Sequence, residues 1–155
     1  MDTGKLLETF TSAVEAREGE RFAELFTPDG TYDDIFYGLH RGRTAIARMI
    51  NEQFYEYAED FRWDMIDPVR EGDMIYARCV FSYVSRMPGA AKPRIVMESV
   101  AMLRLKDGLI DQYSEVVNNG PALVELGLSP EHVVKIMARQ TKALKAREEA
   151  RRHLA

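Results

Sequence analysis

Asp107-Gly108 stands between two long extended runs, residues 94–106 and 109–117. A two-residue Asp-Gly link favours a tight turn with both residues at positive φ, so the flanking runs fold back on each other as antiparallel strands. A second turn, Glu71-Gly72-Asp73, joins a run at 61–70, which the sequence ends near Pro68, to another at 74–86. The C-terminal two thirds is therefore dominated by antiparallel sheet. The N-terminal third has helical spacing instead. Leu6, Leu7, Phe10, Ala13 and Val14 form one stripe, predicting a helix over residues 4–17. A second helix is read at 20–26. A third, at 43–58, is marked by Ala45, Ile46, Met49, Ile50, Phe54 and Tyr57. A helical block followed by an antiparallel block is an α+β arrangement, and 155 residues suit one domain spanning 1–155.

Within the run 74–86 the odd positions Ile75, Ala77, Cys79, Phe81 and Tyr83 are the more apolar set and are placed on the inner face of the sheet. The even positions are also largely apolar. A strand apolar on both sides is covered on both sides, so a homodimer through the outer face is expected. Residues 87–93 are read as a loop and a flap at a pocket rim. After Asn118-Asn119-Gly120-Pro121 comes a short helical turn at 122–126, closed by Gly127. Ser129-Pro130 then signals a helix start, with Ser as cap and Pro at the first helical position. Val133, Ile136, Met137, Gln140 and Leu144 give this C-terminal extension, residues 129–150, an apolar stripe predicted to dock on the body. From Ser129 onward seven Lys/Arg face three Asp/Glu, so the tail carries about +4 and the rest about −8. Either the basic tail docks or its last ten residues are a solvated charged end.

The stretch 22–50, FAELFTPDGTYDDIFYGLHRGRTAIARMI, carries the sharpest chemical feature. Thr27-Pro28-Asp29-Gly30 reads as a break, followed by an extended run from Thr31. Along a strand Tyr32, Asp34 and Phe36 share a face. A carboxylate flanked by two rings is partly desolvated, which raises its pKa and suits it to general-base work. The alternative is that Asp33 and Asp34 cap a turn.

The order of a helix, FTPDGTYDD, an aromatic loop, GRTAI and a helix resembles the nuclear transport factor 2-like superfamily, in particular its SnoaL-like polyketide cyclase branch. The resemblance spans residues 6–119, within a core of about 4–119. It implies a cone: a strongly curved antiparallel sheet wrapped around three N-terminal helices, with a pocket at the open end and here an extra C-terminal helix. DQYSEVVN resembles that branch's last strand, where an aromatic and, two residues later, a carboxylate face the cavity. The resemblance therefore places Tyr113, Glu115 and Val117 at the pocket; from alternation alone Glu115 could equally face solvent. The implied site has Asp34 and Glu115 as catalytic acids and Tyr32, Phe36, Trp63, Tyr113, Val117 and His40 as substrate contacts. His40, in the loop before the third helix, is read as a proton shuttle at the mouth or as an exposed loop histidine. Within the superfamily the steroid isomerase base falls on Asp34, but its two oxyanion donors fall near Ser12 and Ala101, which cannot act in the same way. The paired pocket histidines of scytalone dehydratase have no counterparts. The Arg braced by two acids in the epoxide hydrolase could be matched only by Arg78, and only if it faced inward.

A net charge of −4 argues against a general nucleic-acid binder. Cys79 is the only cysteine, so no internal disulfide is possible and a reducing cytoplasm is expected. It lies in an apolar strand and reads as core. No apolar run is long enough to span a membrane, and MDTGKLLETF lacks a signal-peptide core. Three scattered histidines and one cysteine give no zinc spacing, and there is no glycine-rich phosphate loop. No metal and no cofactor is expected. The first functional expectation is a cofactor-independent isomerase, lyase or cyclase acting by acid–base chemistry on a small, largely apolar carbonyl compound. The others are a non-catalytic binding protein of the same fold and an accessory subunit working through its sheet and tail.

Overall fold

The computed structural model describes residues 2–87 and 94–155; most of the expected flap at 87–93 lies outside the described residues. Helix α1 (Thr3–Glu15) begins at Asp2, whose side chain accepts a hydrogen bond from the Lys5 amide. Its stripe of Leu6, Leu7, Phe10, Ala13 and Val14 is buried. Helix α2 (Gly19–Ala23) packs closely on helix α3 (Arg43–Arg48). A Cβ at Gly19 would run into the Ala47 carbonyl, and its amide donates to Asn51 Oδ1 at 2.9 Å. Beyond Arg48 the helix widens into a π-helical segment, Met49–Phe54. It ends there rather than at residue 58.

Six strands follow these helices or interleave with them: β1 (Phe26–Asp34), β2 (Gly38–Arg41), β3 (Ala58–Glu71), β4 (Met74–Ser85), β5 (Arg94–Lys106) and β6 (Leu109–Asn118). They form one curved, unclosed sheet in the order β2-β1-β6-β5-β4-β3, with the N-terminal helices in its concavity. Asp107 and Gly108, at φ 53° and 80°, make the tight link between β5 and β6. All pairings are antiparallel except β1 with β6, which run parallel. The break expected at residues 27–30 is instead an irregularity within β1. Phe26 pairs with Ile110 and Thr31 with Gln112, and the register shifts between them. β3 likewise does not stop near Pro68. It passes through a bulge between Ile66 and Val69, with Asp67 at φ 52°, which accommodates a residue lacking an N–H. A second bulge, with Asp60 at φ 51°, lies between Glu59 and Arg62. Bulges bend the strand that carries them, and these lie on the strand at the edge of the sheet.

The core is unusually aromatic. Phe10 packs against Phe22 (ring centroids 4.6 Å apart), Tyr113 (5.0 Å) and Trp63 (5.4 Å), and Tyr32 stacks on Tyr113 at 4.4 Å. Glu15 at the end of α1 accepts the Trp63 amide at 2.7 Å, which ties the first helix to β3. In β4, Ile75, Ala77 and Cys79 are buried and Phe81 and Tyr83 pack on the core, so the odd positions face inward; Arg78 points out, paired with Asp67. The outer face leaves Tyr76, Val96, Val100 and Val116 exposed.

Helix α4 (Gly120–Glu125) leads through Gly127, at φ 73°, to helix α5 (Pro130–Lys145), capped by Ser129 as its sequence signals. The docking of α5 is shallower than expected. Val133, Ile136, Met137 and Gln140 are half-buried, none of its residues is buried, and Leu144 is 52% exposed. A 3₁₀ segment, Glu148–His153, follows. No helix among the described residues is long and apolar enough to cross a membrane.

Candidate functional site

The concave face of the sheet and the C-terminal helices enclose a cavity of about 280 Å³. That is near the lower end of small-molecule pockets. β1 and the turn after it supply Tyr32, Asp34, Phe36 and Tyr37. The π-helical segment supplies Phe54. β3 to β6 supply Phe61, Trp63, Phe81, Tyr83, Met97, Ser99, Glu115 and Val117, and the C-terminal helices close one side with Leu123, Leu126, Leu128 and Ile136.

Asp34 ends β1 and is 6% exposed. Its Oδ1 accepts the Phe36 amide at 2.7 Å and the Tyr37 amide at 2.8 Å. The carboxylate therefore caps the turn and lines the cavity at once, so the two readings of this residue are compatible. Burial disfavours its charge and the two amides favour it; burial prevails, and the pKa is raised.

Glu115 reaches the cavity because the inner face of β6 carries Tyr113, Glu115 and Val117. Glu115 lies opposite Ala101, and Val117 opposite Ser99. Glu115 retains some accessible surface because it opens onto the cavity, yet protein surrounds it. Burial raises its pKa to about 7, reinforced by the charge of Asp34 and opposed by the Ser99 and Tyr113 hydroxyls. Two carboxyls that disfavour each other's charge in one enclosure titrate apart, so one can stay ionised while its neighbour keeps a proton near neutrality.

Buried donors surround these acids. The Tyr32 and Tyr113 hydroxyls and the Trp63 indole N–H have no hydrogen-bond partner among the described residues. The two hydroxyls stand near each other and close enough to Glu115 for its charge to raise both phenols, but neither is in hydrogen-bonding geometry. Burial pushes both phenols well above their ordinary pKa, so they are donors throughout the neutral range. Tyr37 is pushed to about 12, chiefly by burial. The Cys79 thiol is raised by burial and donates to the Ala77 carbonyl, as befits a core thiol.

Of the residues read from the sequence, Asp34, Glu115, Tyr32, Phe36, Trp63 and Val117 border the cavity. Tyr113 lies beneath Tyr32, stacked on it, and does not form the wall. His40 is placed differently from the reading. It sits in β2 rather than a loop, does not border the cavity, and turns its ring nitrogens to the Gly38 carbonyl (3.0 Å) and Gln53 Oε1 (2.9 Å). The site reading lacked Phe54, Tyr57, Phe61, Phe81, Tyr83 and Ser99, although the inward odd positions of β4 point to Phe81 and Tyr83. It also lacked the Leu123, Leu126, Leu128 and Ile136 wall, for which the sequence gives no pocket signal. Among the described residues no group of three His, Cys, Asp or Glu stands ready to hold a metal ion.

Residues 7–113 match the family described as the SnoaL-like domain. No curated protein matches the chain. Among solved structures, a Catenulispora acidiphila protein with a ketosteroid isomerase-like fold, in complex with trimethylamine, is 20% identical. The match covers 83% of this chain and 96% of that one at a TM-score of 0.73. TsrD from Streptomyces laurentii is 21% identical, over 82% and 98% of the two chains, at 0.70. An LEH-like epoxide hydrolase of M. tuberculosis is 12% identical, over 79% and 86%, at 0.63. At these identities the likeness speaks for the scaffold, which hosts many unrelated functions.

Proposed function

Because the chain belongs to the SnoaL-like domain family, a scaffold for enzymatic or binding roles, we propose that it is a cofactor-independent acid–base enzyme. Its substrate is a small, largely apolar carbonyl compound. The observation that carries this reading is the pair of carboxyls, Asp34 and Glu115, facing one otherwise apolar cavity, with Glu115 held near neutrality. The ionised Asp34 takes a proton from the carbon beside the carbonyl, leaving the electron pair to form the enol. Glu115, protonated, donates to the carbonyl oxygen, with the Tyr32 hydroxyl as a second donor. Return of the proton at another carbon gives isomerisation, loss of a neighbouring group gives elimination, and attack on a second carbonyl gives cyclisation. The exposed Tyr76, Val96, Val100 and Val116 support a homodimer joined through the outer face of the sheet.

Deuterium uptake tests the chemistry without knowledge of the natural substrate. Linear and cyclic ketones in heavy water, followed by proton NMR, should exchange their α-protons faster with the native protein than with buffer. Asp34→Asn should lower that acceleration by about a hundredfold or more, the usual contribution of a positioned base. Acceleration should fall above about pH 7, where Glu115 loses its proton. Exchange at the buffer rate across the panel, or equal rates for native protein and Asp34→Asn, would refute the mechanism and leave a binding protein.

A further inference from the structure

The wall of the cavity is both aromatic and negative. Nine of its described lining residues are aromatic, and its charged ones are Asp34 and Glu115; none is Lys, Arg or His. Nearby guanidinium groups are engaged elsewhere. Arg86 pairs with Glu59, and Arg94 and Arg62 both pair with Asp60. The hydrogen-bond partners of Asp34 are backbone dipoles rather than a charge, and His40 is turned to Gly38 and Gln53. Asp34 thus has no ion-pair partner among the described residues: His40 lies near enough to favour its charge but spends its ring nitrogens on Gly38 and Gln53.

We propose that the cavity selects small molecules bearing a compact substituted-ammonium group, held against its aromatic rings with Asp34 as counter-charge, and rejects carboxylates and phosphates. Ring faces attract cations through their quadrupoles, Trp most strongly, and the attraction grows as water is excluded. Trp63 is 4% exposed and lines this cavity with Phe81 beside it and Phe61 packed on Phe81. An alkylated ammonium matches such a wall better than a primary one, because its methyl groups fill apolar space while its charge is spread over them. An anionic ligand would instead face two carboxyls with no described cation to receive it. The inference rests on Asp34 and Glu115 meeting the ligand, as in the reading above. It adds that the carbonyl compound carries positive charge.

Trp63 is the only tryptophan, so its fluorescence reports occupancy directly. The probes are three molecules of one shape: choline, the neutral 3,3-dimethylbutan-1-ol and the anionic 3,3-dimethylbutanoate. Choline should bind about tenfold more tightly than the alcohol, the ring faces and the Asp34 charge together outweighing the cost of desolvating the cation, and the carboxylate should bind weakest. Asp34→Asn should bring choline and the alcohol within about twofold of each other. Equal affinities in the native protein, a preference for the alcohol or the acid, or no saturable response to choline up to the order of 100 mM would overturn the proposal. A ratio unchanged in Asp34→Asn would overturn the role of Asp34. The native-protein comparison decides the ligand class even if the variant does not fold. It is also independent of α-proton exchange: choline preference without exchange removes the catalytic reading alone, and exchange without choline preference removes this one alone.

Discussion

Glu115→Gln should stabilise the protein, and only above acidic pH. In the unfolded chain Glu115 titrates near its ordinary 4.5, and in the folded one near 7. Between these values the unfolded state has released a proton that the folded state still holds, so unfolding becomes easier as pH rises. The stability associated with protonated Glu115 is complete below about pH 4.5, declines through the interval and is gone above about pH 7. At 1.36 kcal/mol per unit the decline amounts to about 3 kcal/mol. Gln keeps the shape and hydrogen-bonding capacity without the charge. The variant should therefore match the parent near pH 4.5 and exceed it by about 3 kcal/mol at pH 8. For a chain of this size that is about 6–12 °C in melting temperature. Calorimetric melts of both proteins from pH 4.5 to 8.5 measure it, and taking the difference cancels groups that titrate alike in both. Asp34 is the main group that does not cancel, since its charge contributes to the raised pKa of Glu115. A difference independent of pH, or a variant less stable at pH 8, would show that Glu115 is solvated or paired and that the enclosed-carboxyl argument is wrong.

Asp34 should titrate above 3.8 by carbon-detected NMR. Asp34→Asn should cost little stability, because an amide oxygen can still accept the Phe36 and Tyr37 amides; a depressed pKa with a clearly destabilised variant would reduce Asp34 to a turn cap. Sedimentation at micromolar concentration should give a dimer mass, and Val100→Lys with Val116→Lys should give a monomer; a native monomer would refute the outer-face interface. Deleting residues after Arg147 should leave the melting temperature nearly unchanged. Deletion from Ser129 should lower it by a few degrees, since Val133, Ile136 and Met137 are only half-buried; equal effects would show that the stripe contributes nothing.

The sheet was legible in the sequence where local chemistry and long-range pairing agree. Asp107-Gly108 defines one hairpin by itself, and Ser129-Pro130 starts α5 by itself. Pro28 and Gly30 misled, because their local signal is a break. In the structure Arg43 Nε donates to the Phe26 carbonyl at 2.9 Å and the Gly42 amide to the Gly30 carbonyl at 2.8 Å, which hold the kinked strand in place. Pro68 misled for a similar reason, since a bulge absorbs it. β2 is invisible in the sequence: four residues pairing with β1 have no periodicity to detect, so no pattern takes His40 out of a loop. Alternation brought Tyr32 with Asp34 and Tyr113 with Glu115 onto common faces, but depth is not encoded by alternation. It could not distinguish Tyr32, which borders the cavity, from Tyr113 stacked behind it. Leu128 and Ile136 reach the cavity through the path taken after Gly127, which no nearby residue pattern records.

The parallel pairing of β1 with β6 has a kinetic consequence. Thr31 meets the Asp111 backbone across 80 residues of chain, whereas β3 to β6 are joined through successive hairpins. Closing so long a loop is entropically costly until the intervening strands have shortened the effective path. Asp34 and Glu115 should therefore come together late, after the β3–β6 meander has formed. During synthesis the carboxyl pair cannot assemble until Glu115 has left the ribosome, nearly three quarters of the way along the chain. In the folded protein, parting β1 from β6 would dismantle the pair while the hairpins remain. Amide exchange in β1 should then report the integrity of the cavity more directly than global unfolding does.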